Sequence, residues 1–340
     1  MRKHILILVF IFASFLTASA QRDADIGFAS GVVNYVGDLG NERYFPVTSA
    51  SPGFQLTVRN FLNNPAKSGK RYKPLSAEVR LSWQRLQYDE SDPIGDRKGL
   101  QLRNYLRGLS FRNDLIGAAV NFTYTFYPNK YLPLYKQKMC FFLLAGAGVY
   151  YGVPKADLFR GPQDISNRYF FWRDGTIRDA EENTKGIGNV IHKDRVYETN
   201  LKDWTTEGQG TNSEIHTRKP YHNTNIGFPL GMGLRYGLNK KITFSMEFDF
   251  YYFLTDYLDD VSGRYATYEE LKASFPDPAK YEIAKYISDP TGVGTNGFLG
   301  VITSRRGNPA KPDSFTVLSV EVAYRIQLKK KGSWFNLSMK

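Results

Sequence analysis

The stretch LSAEVRLSWQ, residues 75–84, shows the clearest secondary-structure pattern in the sequence. Its odd-numbered positions are apolar, from Leu75 to Trp83, and its even-numbered positions are polar and include Glu78 and Arg80. A period of two places these sets on opposite faces of a strand. A tilted strand needs about ten residues to cross a bilayer. The stretch therefore predicts a membrane-crossing strand with an apolar outer face.

Similar alternation recurs in seven further segments. We predict an all-β fold, a transmembrane antiparallel β-barrel of about 8 strands with long extracellular loops. In the fourth segment the first half, up to Asn113, has the opposite parity, which predicts a bulge near Asp114. The eight segments are residues 24–36, 54–59, 75–84, 109–126, 139–151, 227–236, 242–251 and 318–326.

Composition separates this chain from helical membrane proteins. Aromatic residues make up 15% of the sequence, yet the mean hydropathy is −0.41. After the N-terminal segment there is no apolar run of the length that a spanning helix needs. In a barrel only every second residue faces lipid, so high aromatic content with modest hydropathy is expected. The strands of a soluble β-sandwich show the same alternation of apolar and polar residues. The lengths of the connections are therefore needed to distinguish a sandwich from a barrel.

The connections between the segments alternate in length. Those after even segments are short, residues 60–74, 127–138 and 237–241, and those after odd segments include residues 152–225 and 255–314. Long loops outside and short turns inside are typical of outer-membrane barrels. We predict that residues 21–328 form the barrel. The first long loop contains aromatics such as Trp172 and Trp204, which predict a folded cap over the mouth, and partial disorder is the alternative. Residues 268–275 and 279–287 of the second long loop predict two short helices.

The N-terminal 20 residues resemble a signal peptide. Arg2 and Lys3 precede an uncharged apolar run, and Ala18-Ser19-Ala20 fits the small-residue cleavage pattern. The alternative is a membrane anchor, for which the run is short. We predict cleavage near Ala20, residence in the cell outer membrane of a Gram-negative bacterium, and a basic periplasmic tail at residues 329–340.

Charged residues on the inward faces of the strands indicate whether the lumen is filled or open. Eight strands leave a lumen just wide enough for side chains to fill. We therefore expect a packed, ion-paired interior and no open pore. The inward charges are Glu78, Arg80, Arg235, Glu247, Asp249, Glu321 and Arg325.

Motifs of catalysis are missing from the sequence. There is no Walker A motif, nucleophile elbow or zinc-protease motif, so we predict that the chain is not an enzyme and uses no cofactor. His192, His216 and His222 share one long loop, and a metal site with Glu214 is the less favoured interpretation. Cys140 is the only cysteine, which excludes an intramolecular disulfide.

Positive charge gathers where this topology places periplasmic turns. The charges contact either lipid phosphates at the inner rim or an acidic periplasmic partner. No nucleic-acid-binding motif accompanies them, so nucleic acid is not an expected partner. The candidates for docking are Lys67, Lys70, Arg71, Lys73, Lys130, Lys136 and Lys138.

Three short motifs resemble a known family. They are Tyr35-Val36-Gly37-Asp38-Leu39, the stretch RGLSFR at 107–112, and the stretch TDYLDDV at 255–261. Together they resemble the outer-membrane barrel family that includes PorG of the type IX secretion system. The resemblance implies a non-catalytic component or scaffold of protein secretion, with periplasmic secretion-ring subunits as partners. The alternatives are a stand-alone structural or surface-binding barrel and a small gated channel.

All three motifs fall at the predicted extracellular end. We predict that their charges form a salt-bridge cluster that closes the mouth of the barrel, because opposite charges in a confined site persist only when paired. A calcium or ligand site on the three later aspartates is the alternative. The predicted cluster consists of Asp38, Arg107, Arg112, Asp256, Asp259 and Asp260.

Overall fold

A computed structural model describes residues 23–40, 49–61, 74–91, 100–137, 139–211, 219–294 and 305–327. Within them, eight long strands pair in chain order and the last pairs with the first, which closes the barrel. All eight pairings are antiparallel, so the predicted fold class is confirmed. We number these strands β1 Asp23–Val36, β2 Ser51–Phe61, β3 Leu75–Asp89, β4 Ser110–Phe126, β5 Cys140–Tyr151, β6 Thr224–Gly237, β7 Ile242–Phe253 and β8 Ser314–Gln327.

The pairing of β3 with β4 corrects one prediction. It runs without interruption from Asp89 opposite Ser110 to Leu75 opposite Tyr124. The predicted bulge near Asp114 is therefore wrong. The apparent change of parity arises because the inward residues of β4 are apolar near the mouth, as at Phe111, and polar further down the strand.

An apolar belt covers the outside of the barrel. Large side chains that alternate with the buried ones are exposed on every strand, among them Phe28, Leu56, Phe122, Met232 and Val320. A soluble monomer rarely exposes so large an apolar surface. A membrane-spanning barrel presents such a belt to lipid, since every second residue of each strand faces outward. The barrel is therefore a transmembrane one.

Ion pairs fill the half of the lumen nearest the short turns. Arg59 bridges Glu78 at 2.7 Å and Glu321 at 3.0 Å. Arg80 contacts Glu78 at 2.8 Å, and its other partners lie on β7. These side chains are at most 3% exposed. The predicted packed, ion-paired interior is confirmed.

Apolar side chains fill the other half of the lumen. Val33, Phe111, Leu115 and Phe315 are buried there and belong to one cluster with residues of the long loops, such as Leu258. The barrel interior and the cap thus share a continuous apolar core. Burial of this core ties the loops to the strands, because each buried side chain of this size contributes roughly 1.5–3 kcal/mol.

Three helices lie in the described part of the long connections. They are α1 Leu100–Arg107, α2 Tyr268–Ser274 and α3 Pro278–Ser288. The last two confirm the predicted short helices, and α1 was not predicted. Thr267 and Glu270 form a capping box at the start of α2, and Asp277 caps α3 ahead of Pro278. No helix in these residues is long and apolar enough to cross a membrane.

Candidate functional site at the barrel mouth

Arg107 links three of the connections at the mouth, those that follow β1, β3 and β7. At the end of α1, its Nε donates to Glu90 at 2.7 Å, and its Nη2 donates to the other oxygen of the same carboxylate. Its guanidinium also donates to the main-chain oxygens of Asp38 and Arg306, each at 2.9 Å. The planar fork of arginine suits such a junction, because it offers five donors in fixed directions.

Arg306 forms a second centre of the cluster. Its Nη1 lies 3.2 Å from Asp260 Oδ2 and 3.6 Å from Glu207 Oε1, and it also donates to the main-chain oxygen of Asp260. Glu207 accepts hydrogen bonds from the backbone N–H groups of Ser262, at 2.8 Å, and of Gly263. This arginine therefore links the connection after β5 to both ends of the connection after β7.

The backbone at Asp260 adopts an uncommon conformation. Its φ is +69°, in the left-handed region that costs most residues roughly 1–2 kcal/mol. Its carboxylate is fully buried and accepts hydrogen bonds from Thr206 at 2.6 Å and from Tyr221 at 2.7 Å. These contacts and Arg306 offset the cost of the strained conformation.

A carboxylate-rich patch lies below the arginines. Tyr35 donates its hydroxyl to Asp259, and Asp313 lies 3.4 Å from the same hydroxyl. Asp313 also accepts the backbone N–H of Leu258 at 2.8 Å. Asp256 is nearby, and the side chain of Ser262 lies close to its carboxyl. Carboxylates outnumber arginines in this patch.

Burial and mutual repulsion raise the pKa values of these carboxyls. Burial is the main cause that raises the pKa of Asp256 to about 8, and Asp38, Asp259 and Glu207 add to it, whereas Ser262 acts in the opposite direction. Burial likewise raises the pKa of Asp38 to about 6, although the N–H of Asn308 and the charge of Arg107 oppose it. The mouth therefore holds protons that the unfolded loops release.

This difference predicts that the cap loosens as the pH rises. A carboxyl whose pKa is higher in the folded state stabilises that state most at low pH, and the contribution is lost as the pH rises through the folded value. For Asp256 the window runs from 3.8 to about 8. We expect the opening of residues 254–263, measured by hydrogen exchange corrected for the intrinsic rate, to increase by at least about tenfold from pH 5 to pH 9.

The variant Asp256→Asn supplies the control, because an amide has no proton to lose in this range. We expect its opening to change far less with pH than that of the wild type. An equal pH dependence in both proteins would assign the effect to other groups.

The structure brings five of the six predicted mouth residues together and places the sixth elsewhere. No salt bridge joins two of these six residues, so the predicted pairing among them is wrong: Arg107 pairs with Glu90, and Asp260 pairs with Arg306. Arg112 is the residue that lies elsewhere, and its predicted place in the cluster is corrected. Because Phe111 and Asn113 point into the barrel, Arg112 points outward. There it lies 3.8 Å from Asp114 and stacks on the ring of Tyr197 at 4.4 Å. Those that meet are Asp38, Arg107, Asp256, Asp259 and Asp260.

Sequence reasoning missed Arg306, Glu207, Glu90 and Asp313. Their partners are as many as 278 residues away in the chain, as for Tyr35 and Asp313. The sequence signal for Arg306 was the pair of arginines Arg305-Arg306 in a long loop. A loop has no periodic pattern, so the sequence does not show that Arg306 is the buried one of the two. Only the closing of the barrel brings these segments together.

Metal-site geometry is absent from the described residues, in which no group of three or more His, Cys, Asp or Glu side chains could hold a metal ion. The calcium alternative for Asp256, Asp259 and Asp260 thus lacks support there. His192 and His222 are exposed, and His216 and Glu214 lie outside the described residues.

The basic docking candidates are only partly described. Lys130 and Lys136 are exposed in the turn after β4, at the end of the barrel opposite the mouth. The signal peptide and the basic tail lie outside the described residues, as do Lys67, Lys70, Arg71, Lys73 and Lys138.

Similarity to known proteins is low. No protein-family model and no curated protein matches the chain. Among solved structures it is similar to Ail of Yersinia pestis in complex with the heparin analogue sucrose octasulfate, with 9% identity and a TM-score of 0.32 over 90% of this chain and 99% of that one. It is also similar to OprG from Pseudomonas aeruginosa, with 11% identity and a TM-score of 0.30 over 91% of this chain and 97% of that one.

Likenesses of this strength carry no argument about function. The class is defined by the molecule itself, through its closed antiparallel pairing, its apolar outer belt and the unequal connections at its two ends. These features are those of a transmembrane β-barrel of the outer-membrane type.

Proposed function

We propose that this chain is a sealed, non-catalytic outer-membrane barrel that serves as a scaffold in type IX protein secretion. The observation that supports this proposal is that side chains fill both halves of the lumen. The ion pairs around Arg59 and Arg80 fill one half, and the apolar core and the Arg107–Arg306 cluster close the other. A barrel with a filled lumen offers its two ends, rather than a pore, for interaction.

The resemblance to the PorG-containing family supports a role in protein secretion. The three motifs that resemble the PorG-containing family contact each other at the mouth. Arg107 of the second motif donates to Asp38 of the first, and Tyr35 of the first donates to Asp259 of the third. The basic turns, in which Lys130 and Lys136 are exposed, would then face the periplasm, where secretion-ring subunits would dock.

The experiment is a gentle-detergent pulldown of the tagged chain from outer membranes, with mass spectrometry of the proteins that accompany it. We expect periplasmic ring subunits to be recovered. We also expect their recovery to fall when Lys67, Lys70, Lys73, Lys130 and Lys136 are changed to Glu. The matched control is Lys185→Glu with Lys272→Glu, two exposed lysines at the cap end. Recovery of the barrel alone from wild-type membranes would contradict the secretion role.

The folded cap favours a second candidate, a stand-alone surface-binding barrel. The long connections contain apolar clusters of their own, one around Tyr105, Tyr169 and Ile177 and another around Leu271 and Ala284. Loops that only connect strands do not need such cores. Loss of secreted cargo on deletion of the gene would favour the scaffold, and normal secretion would favour this candidate.

The filled lumen also predicts an electrical result. The purified chain in planar bilayers should conduct no more than a protein-free bilayer, because the side chains of Arg59, Arg80 and Glu78 occupy the path and are almost completely buried. Stable unitary currents from the wild-type chain would support the small gated channel instead.

A further inference from the structure

A basic patch lies on the outer face of the barrel, on the side formed by β3, β4 and the chain that follows β5. It consists of Arg85, Arg112 and Lys155, and we call it the rim patch. Arg112 and Lys155 stand opposite each other in the sheet, so their side chains leave it on the same face. Lys155 is exposed and its neighbour Ala156 is buried, which identifies that face as the outer one.

The rim patch continues the apolar belt toward the mouth. On β3, Arg85 is two residues beyond Trp83, and its guanidinium lies 5.1 Å from the centre of that ring. On β4, Arg112 is four residues beyond the exposed Ile116, and Lys155 is likewise four residues beyond the end of β5. With the rise and tilt of barrel strands, two and four residues correspond to heights of roughly 5 and 10 Å above the belt. The charges therefore lie at the level of lipid headgroups, whose layer is roughly 5–8 Å thick on each side of the hydrocarbon core.

Cations outnumber anions in the rim patch. The carboxylate of Asp114 lies between the two arginines, 2.7 Å from Arg85 and 3.8 Å from Arg112. The next outward carboxylate toward the mouth is that of Asp89, which pairs with Lys193 at 3.2 Å. The patch therefore keeps an excess of positive charge, which favours an anionic partner.

Two other strands are neutral at the matching positions. Beyond the belt, the first outward residue of β1 is Asn34 and that of β6 is Thr224. A ring of charge around the whole barrel would only mark the edge of the membrane. A cluster on the β3–β5 side instead offers a local site, in which several cations can meet one headgroup.

A tyrosine from the cap supports the guanidinium of Arg112. The guanidinium carbon lies 4.4 Å from the ring centre of Tyr197, in the long connection after β5. Contact with a ring uses the flat face of a guanidinium and leaves its N–H edge for other acceptors. The side chain is 29% exposed, so an acceptor can approach it from the membrane side. Phosphate suits this edge, because two of its oxygens match two parallel N–H groups.

We propose that the rim patch binds the phosphate groups of an anionic glycolipid in the outer leaflet of the membrane. Arg112 and Lys155 contact the phosphates, Arg85 adds positive charge, and the acyl chains lie against the belt at Ile116. A lipid fits this position better than a soluble polyanion does, because the patch is continuous with a surface that already faces lipid. The proposal rests on the placement of the mouth at the outer leaflet and not on the secretion role, which the pulldown tests separately.

The test is native mass spectrometry of the full-length chain in a non-ionic detergent, titrated with bis-phosphorylated lipid A. We expect saturable binding, and we expect the same lipid without its two phosphates to bind at least tenfold more weakly. The double variant Arg112→Gln with Lys155→Gln should also bind the phosphorylated lipid at least tenfold more weakly. Both side chains are at least partly exposed, so this variant should still give the compact gel band of a folded barrel.

The matched control is Arg173→Gln with Lys185→Gln, which removes the same two kinds of charge from exposed positions in the cap. Its lipid binding should equal that of the wild type. Inorganic phosphate tests whether a free anion is sufficient, and we expect it to displace little lipid because it has no acyl chains. The proposal is overturned if the lipid without phosphates binds equally well, if the rim-patch variant binds like the control, or if inorganic phosphate at the same concentration displaces the lipid.

Discussion

Replacing Arg80 with alanine is expected to destabilise the barrel by about 3–5 kcal/mol, because removal of one partner leaves buried charges uncompensated. Arg80 contacts Glu247 at 2.5 Å and Asp249 at 2.7 Å on β7, as well as Glu78 on its own strand. All four side chains are at most 3% exposed. Unfolding in urea from lipid vesicles, followed by the loss of the compact band on gels, would measure the change.

Arg85→Ala on the same strand is the matched control. Arg85 also forms an ion pair, with Asp114 at 2.7 Å, but these side chains are 28% and 34% exposed. Exposed pairs contribute about 1 kcal/mol or less, so this variant should remain close to the wild type. Arg80→Lys should fall between the two, since an ammonium cannot fork to several carboxylates. Equal losses in Arg80→Ala and Arg85→Ala would contradict the assigned role of burial.

Replacing Arg306 with alanine is expected to open the cap while the strands remain closed. The change leaves Asp260 and Glu207 buried without their cation and removes one of the contacts that offset the left-handed backbone at Asp260. We expect a local destabilisation of about 3–5 kcal/mol. Hydrogen exchange should show faster opening in residues 254–263 and around Glu207, with strand protection unchanged because the lumen ion pairs are separate.

The neighbouring Arg305→Ala serves as the control. Its side chain is exposed, so its removal should change exchange in the cap very little. If Arg306→Ala instead destabilised the strands as much as the loops, the mouth cluster would be part of one cooperative unit with the lumen. If the two variants behaved alike, the central role of Arg306 would be wrong.

The two halves of the lumen are filled by side chains of different chemistry. Near the short turns the lumen is filled by charges of both signs, whereas near the mouth it is filled by apolar side chains that join the cap. A cap attached in this way moves little relative to the barrel. That rigidity suits a scaffold, which presents its two ends in a fixed arrangement.

Local sequence patterns were sufficient to predict the strands and the direction in which their side chains point. The alternation in residues 75–84 follows from the pleat of a strand and from lipid on one side, and both are local causes. Together with the seven similar segments, it therefore predicted the closed barrel and the inward Glu78 and Arg80. The two short helices were predicted separately, from residues 268–275 and 279–287 and the prolines between them. The unequal lengths of the connections predicted the end that carries the cap.

The pairing of the charges could not be predicted from these patterns and is known from the folded chain. Motif position predicted that Asp38, Arg107 and Asp259 lie at the mouth, but it did not distinguish Arg112, which points outward, from Arg306, which is buried. These contacts join residues far apart in the chain, such as Tyr35 and Asp313, so their partners are fixed by the closing of the barrel and the folding of its loops.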